Sequence, residues 1–556
     1  MGNSLSAIPV HVADFLFNNY VTRVAPQYPI HYTPDIMAMH TAVFHPEEQA
    51  SSAHKADVYA TYTLNLIMAI SLSTAARSKQ ARANAIASGL FARAMEQLPG
   101  VLTNDLRGLQ ALVLLTQYTF LSPGVANFWL LTGFMSQACI DLGLHQEMSE
   151  PPEGSHDYPD LPWPLLRDMR RRVFWCAWEM EVAVCGALLR PITLLRRNVT
   201  TQFPSVLDDD AIEQAITKAA QTGSEPRLDE DSGRPAKFTS HYIWRYRAVE
   251  CDIVPVLFHG EPLPQAYSNQ GEGEDGGLVA WMDHQEQTIL SWKAEIHDRT
   301  ARNTDAAAQS LWDEMQLYAD IACDYILITL FRPCPRLRDP PAKNLLKAFA
   351  AAAGVADGSW QQANLAFGSS KYVFHACYHS FSAAIAFLQA LQRIKPVIAA
   401  NYPWAQVEVN MQAFSRFFAT VAERWPAASR CLDEYERLLA PVKRDYVDFL
   451  VQVAHEAQAA QDREMETQAQ AVSDIDTSAF ADVDLDEALT LSTFFNASAL
   501  EPAHHSASLF GSNNSNGIHS TNGLAHTHTT VQSAFVAMDW NEEFSFGIDP
   551  GAWRVL

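Results

Sequence analysis

Cysteine is scarce in this chain and follows no ligand pattern. Eight occur in 556 residues (Cys139, Cys176, Cys185, Cys251, Cys323, Cys334, Cys377 and Cys431), and the nearest two are nine apart. Without a CxxC pair, the spacing of a zinc ribbon, finger or redox centre is absent. So sparse a set also excludes a small disulfide-stapled domain, and reduced, buried thiols in a nuclear or cytosolic setting are expected. Positive charge is short as well. There are 39 Lys and Arg against 63 Asp and Glu, a net charge of −24. Binding a polyphosphate unaided needs a basic footprint, which this chain lacks. Long apolar runs are missing too. Residues 58–76 and 108–140 carry no charge, but Asn, Thr, Ser and Gln punctuate both. Buried helices are expected there, and no membrane association. The first residues lack the basic and apolar regions of a signal peptide. Residues 271–276 spell G-x-G-x-x-G with three acids inside, which would repel a pyrophosphate. No H-E-x-x-H, G-x-S-x-G or P-loop occurs. No catalytic set and no metal-ligand set is expected, so the chain reads as a non-enzyme.

What the chain does have is helix periodicity and a large apolar complement, 48% of residues. Apolar positions at helical spacing predict helices over 105–121, 128–142, 165–189, 311–331, 372–394, 407–425 and 427–457. Pro123-Gly124 separates the first two, Gly143 suits a helix C-cap, and Pro191 ends the third. Residues 208–235 read as a polar loop with one short helix, and 260–277 as another loop. Alternating β-branched stretches are scarce. The expected fold is all-α, a large multi-helix body over residues 1–460.

Residues 461–556 differ in composition. They hold two basic side chains, Arg463 and Arg554, and fourteen acids. Residues 503–530 are Ser, Asn, Gly and His-rich, and His526 and His528 offer at most weak metal binding. This segment reads as a disordered acidic tail. Near its end Phe535, Met538, Trp540, Phe544 and Phe546 are interleaved with acids, Asp539 among them. Acids keep aromatics solvated until a coactivator or corepressor groove captures them, so these residues form a candidate activation motif.

Arg167, Arg170, Arg171 and Arg172 make the densest basic cluster, with Arg196 and Arg197 further on. A nuclear-import or phosphate role is one reading. Pairing with acids of the core or neighbouring loops is the favoured one. Arg170, Phe174, Ala177 and Glu181 share a helix face, and Glu181 is expected to pair with Arg190. His145, just past a helix end, suits the helix dipole.

The ordered set of motifs resembles the fungal-specific transcription factor domain, the middle homology region of the fungal zinc-cluster (Zn2Cys6) factors. Residues 15–20 and 25–30 are similar to its opening. Ala138 to His145, with Leu142, Gly143, Leu144 and His145, resembles its AxxLGLH helix end. Arg170-Arg171-Arg172-Val173-Phe174-Trp175 resembles RRRxFW, Leu189-Arg190-Pro191 resembles GRP, and Leu330-Phe331-Arg332-Pro333 resembles LxRP. The resemblance spans roughly residues 10–455. Two positions depart: Met180-Glu181-Val182 stands for LDR, and Leu189 for the glycine of GRP. The resemblance implies a nuclear regulator of RNA polymerase II genes for metabolic or biosynthetic functions. Its body would restrain or release an activator, in some members in response to a small-molecule effector. The family's zinc cluster is not in this sequence, so no cofactor is expected in this chain. DNA contact would come from an N-terminal module or a partner, and a homo- or heterodimer fits the family. Two alternatives stay open: a DNA-binding-deficient corepressor or heterodimer partner, and a helical small-molecule-binding protein or enzyme.

Overall fold

Helices that follow one another in sequence pack against one another in space, so most of the fold is built from local antiparallel pairs. The computed structural model describes residue 5 and residues 8–46, 57–75, 80–151, 158–229, 236–268, 276–364 and 373–473. Among these residues there are helices and no β-strand. The first group is α1 (Val10–Asn19), α2 (Thr33–Phe44), α3 (Val58–Ala75), α4 (Gln80–Val101), α5 (Leu106–Leu121) and α6 (Phe128–Asp141). Then come α7 (Trp163–Leu188), α8 (Asp209–Thr222), α9 (Phe238–Phe258), α10 (Gln265–Ser268), α11 (Gly276–Arg302) and α12 (Gln309–Phe331). The last are α13 (Ala342–Asn364), α14 (Val373–Arg393), α15 (Lys395–Asn401), α16 (Trp404–Arg424) and α17 (Ser429–Ser473). The closest pairs are α3 with α4, α11 with α12, α12 with α13 and α13 with α14. Helix α7 packs on α5, α6, α9 and α14, and so lies at the centre of the body. No single described helix is long and apolar enough to cross a membrane.

Local chemistry sets the helix ends. Asp105 caps α5 by accepting from the Gly108 N–H at 2.8 Å, and Asn127 caps α6 the same way at Leu130. At the far end of α6, Gly143 has φ +64°. Its N–H bonds the Ile140 carbonyl at 3.0 Å, and the Leu144 N–H bonds that of Cys139 at 2.8 Å. That paired closure is a Schellman motif, which needs a left-handed residue where glycine carries no Cβ penalty. The Leu-Gly-Leu-His helix end therefore has a structural job. Leu189 ends α7 with φ +51°. It stands where the resembling pattern has glycine, and the backbone still adopts the conformation glycine favours.

Several elements differ from expectation. Residues 208–235 contain a fourteen-residue helix rather than a short one, with Asp208 at its N-cap and Gly223 in the left-handed conformation at its end. Helices α9, α11 and α13 were not anticipated. The chain divides after Val442 into a second unit, whose described part is residues 443–473, the continuation of α17. That helix runs past residue 460 to Ser473, where the composition had suggested disorder. Ala, Gln, Glu and Met keep helix propensity high without an apolar stripe. Side-chain bonds one turn apart, Gln452 to Glu456 at 2.8 Å and Gln458 to Asp462 at 2.9 Å, support it.

Candidate functional site

Helix α7 is buried on nearly every side, yet carries Asp168, Arg170, Arg172, Glu179 and Glu181 into the interior. Charge inside a protein survives only when paired and hydrogen-bonded. The arginine run shows how three adjacent cations are absorbed. Arg170 donates from Nη2 to the Leu142 carbonyl at 2.8 Å, closing the end of α6. Arg171 forks onto Glu147, at 3.1 Å from Nε and 2.6 Å from Nη2. Arg172 lies between Asp168 at 2.5 Å and Asp209 at 2.6 Å. Burial favours a neutral Asp209, but Arg172 and then Lys237 hold it ionised, with a pKa of about 2. Asp168 also accepts from the Ser205 N–H at 2.6 Å. Arg196 meets Asp252, and Arg197 meets Glu261. Arg170, Arg171, Arg172, Arg196 and Arg197 are thus tied to acids and carbonyls, in line with the favoured reading.

Phe174 is fully buried, and Trp175 donates from Nε1 to the Gln202 carbonyl at 2.9 Å. The expected Glu181–Arg190 pair does not form. Glu181 accepts from the Thr193 N–H at 2.9 Å, while Arg190 lies over the Trp129 ring at 4.1 Å. The segment after Pro191 folds back on α7 and supplies a backbone donor nearer than any cation. His145 receives the Thr200 N–H on its carbonyl at 3.0 Å, a backbone role.

A second charged group joins α7 to α9. Arg247 bonds Glu179 at 3.2 Å and Glu250 at 2.6 Å, and all three are buried. Burial raises the pKa of both carboxyls, opposed by Arg247. Two acids thus share one cation. Gly186 makes room for this arrangement: a Cβ there would lie 2.7 Å from Glu250 Oε1. Sequence periodicity missed Arg247, although the Arg247–Glu250 spacing of three is a helix pair.

Glu179 and Arg247 face a cavity of about 130 Å³. Residues from 23–28, α7, α9, α12, α13 and α14 line it. Its wall combines Ile243, Met315 and Ile321 with the rings of Tyr28, Tyr246 and Tyr318. Arg23 and Glu314, paired at 3.3 Å, lie on the same wall. The hydroxyls of Tyr246 and Thr239 are buried here with no hydrogen-bond partner among the described residues. A buried polar group left unpaired costs roughly 1–3 kcal/mol. A concave, mostly apolar site with a few unpaired polar groups is the form of a small-molecule pocket.

His379, also on the cavity wall, is kept neutral by burial and by Arg247, with its pKa down at about 3. Burial lowers His31 to about 3, and burial with Lys237 lowers His241 to about 4. The unfolded chain takes up these protons near pH 6.5 and the native chain does not, so stability is complete above that pH and falls below it. Asp324, raised to about 7 by burial, acts in the opposite direction between about pH 4 and 7. Glu179 and Glu250, also raised by burial, act with Asp324. The histidine contribution is therefore read by difference: His379→Gln is expected to lose less stability than the native chain as the pH drops from about 7 to 4.5 in urea unfolding, and parallel profiles contradict this.

The site residues expected from sequence therefore divide. Leu142, Gly143, Leu144, Arg170, Arg171, Arg172, Phe174, Trp175, Arg190 and Pro191 build and close the helices around α7, and none of them lines the cavity. The candidate activation motif, Phe535, Met538, Asp539, Trp540, Phe544 and Phe546, lies outside the described residues.

The fold and the motif geometry define an all-helical body built around α7. Residues 17–258 match the model of the fungal-specific transcription factor domain. The chain is similar to pyrimidine pathway regulatory protein 1 of Saccharomyces cerevisiae, 24% identical over 250 residues, 44% of this chain and 24% of that protein. It is similar to the positive regulator of purine utilization of Emericella nidulans, 21% identical over 536 residues, 77% of this chain and 46% of that protein. Protein STB5 of Saccharomyces cerevisiae is 27% identical over 149 residues, 26% of this chain and 19% of that protein. The chain spans less than half the length of each of these relatives.

Proposed function

We propose that the chain is the regulatory portion of a fungal transcription regulator that acts in the nucleus on RNA polymerase II genes. Its helical body binds a small hydrogen-bonding ring molecule as effector. The carrying observation is the cavity: tyrosine-walled, with the Tyr246 and Thr239 hydroxyls unpaired among the described residues and the Glu179 carboxylate on its wall. Space of this size suits a single ring, since a void of roughly 150 Å³ accepts benzene. Two relatives are named for control of pyrimidine and purine pathways, which supports a nitrogen heterocycle as the ligand class. The effector acts by favouring one of two states of the body that mask or release the acidic tail. DNA contact comes from a zinc-cluster module or a partner chain, and the tail contacts a coactivator or corepressor.

The transcription reading is tested by fusing this chain to a heterologous DNA-binding domain upstream of a reporter. Output above that of the DNA-binding domain alone is expected, and its loss when Trp540, Phe544 and Phe546 are replaced by alanine. An unchanged output in the triple variant removes the activation motif from the account.

A further inference from the structure

We propose that Asp14, His40 and His45 form a binding site for a divalent first-row transition ion of the zinc class, joining α1 to α2. Their ligand atoms lie within 4.8 Å of one another. His45 Nε2 is 2.8 Å and His40 Nε2 3.5 Å from the same Asp14 Oδ1. Those two separations bracket the roughly 3.3 Å that a tetrahedral ion with bonds of about 2.0–2.1 Å imposes on its ligands.

The local fold brings the three together. Five residues along a continuous helix would turn His45 about 140° away from His40. Helix α2 instead breaks at His45, whose φ of −130° and ψ of 53° leave the helical region, and the ring returns to the same side. Asp14 reaches it from α1. The His40 ring is fixed by stacking on Phe17, centroids 4.3 Å apart, and by Phe44 at 5.0 Å. It also hydrogen-bonds the backbone of Ala13. A backbone hydrogen bond to the ring is a usual support of a metal-ligating histidine.

A separate observation points to a ligand. His40 is 7% exposed, and its Nε2 is buried with no hydrogen-bond partner among the described residues. A deeply buried imidazole nitrogen facing a carboxylate and a second imidazole is completed by a cation. Two imidazoles and one carboxylate favour zinc-like ions over magnesium or calcium, which prefer all-oxygen sets. Asp14 is 43% exposed in its side chain, so an ion can enter and keep a water as fourth ligand. None of the three lines the cavity, and the site is independent of the effector reading.

The test uses the full chain, stripped with a chelator, and two probes. Zn²⁺ is titrated by calorimetry and by Tm, and Co²⁺ by its visible absorption. One ion per chain, a Tm raised by several degrees and tetrahedral-type Co²⁺ bands are expected. Asp14→Asn and His45→Gln, both at partly exposed positions, are expected to weaken Zn²⁺ binding at least about tenfold. Their Tm in chelator is measured beside it, which separates lost metal binding from the lost His45–Asp14 hydrogen bond. If His45→Gln does not fold, Asp14→Asn decides. No binding by the native chain overturns the proposal. So does native affinity in the variants, which would place the ion elsewhere, for instance on His526 and His528.

Discussion

Arg247→Met is expected to lower the unfolding free energy by about 3–5 kcal/mol, the range for removing one partner of a buried ionic group. Arg247 is the cation shared by Glu179 and Glu250, and all three are buried. Methionine fills the volume and leaves two carboxyls in the interior. Burial already raises both pKa values, so without the guanidinium they take up protons instead of staying charged. The deficit is therefore largest at alkaline pH and shrinks on acidification toward about pH 5. Adding Glu179→Gln and Glu250→Gln to the variant is expected to recover most of the loss. Denaturant unfolding at two pH values measures both effects. A single variant within about 1 kcal/mol of the native chain contradicts the assignment.

Arg172→Met carries a comparable expected loss, about 3–5 kcal/mol at neutral pH. It leaves Asp168 and Asp209 buried, with Lys237 4.0 Å from Asp168 as the remaining cation. Burial favours the protonated Asp209, and Arg172 is the largest force opposing it, holding the group at about 2. A depressed acid adds stability above its unfolded pKa near 3.9, lost only as the pH falls toward 2, so the variant loses that contribution throughout the neutral range. Arg171, one residue away, pairs with Glu147 at a partly exposed position, and Arg171→Gln is expected to cost less than about 1 kcal/mol. Thermal unfolding of the two variants separates the readings of the arginine run. A run kept for import or phosphate binding would leave both variants near native stability; a structural run gives the steep difference.

The parts legible in sequence were those set by local rules. Helix α5 was expected from 105 and begins at Leu106, and α6 was expected to end near Gly143 and closes there in a left-handed turn. Pairing of the arginines was also foreseeable, because so many cations in a mostly apolar helix must find acids. What could not be read is whatever depends on contacts across the chain. Glu179 and Arg247 meet across 68 positions. Arg190 chose Trp129 over Glu181 because the chain after Pro191 brought the Thr193 N–H to that carboxylate. The cavity draws on segments from residue 23 to residue 379, and no periodicity marks such a set. Asp14, His40 and His45 carry no sequence signal for a related reason. Their spacing fits no metal motif until α2 breaks at His45. The last helix outran its apolar stripe because propensity alone carries it to Ser473.

The central claim is that the cavity beside Glu179 and Arg247 is an effector site, and Tyr246→Phe tests it most directly. The Tyr246 hydroxyl is buried on the cavity wall without a partner among the described residues. Removing it relieves an unpaired polar group, so the ligand-free variant is expected to match or exceed native stability. The same change removes a hydrogen bond to ligand. Calorimetric titration of native and variant chains with a panel of single-ring nitrogen heterocycles measures this. The account predicts one-to-one binding by at least one of them, and about a tenfold loss of affinity in the variant, the worth of one hydrogen bond near 1.4 kcal/mol. Absence of binding across the panel, or equal binding by Tyr246→Phe and Thr239→Val, would contradict it.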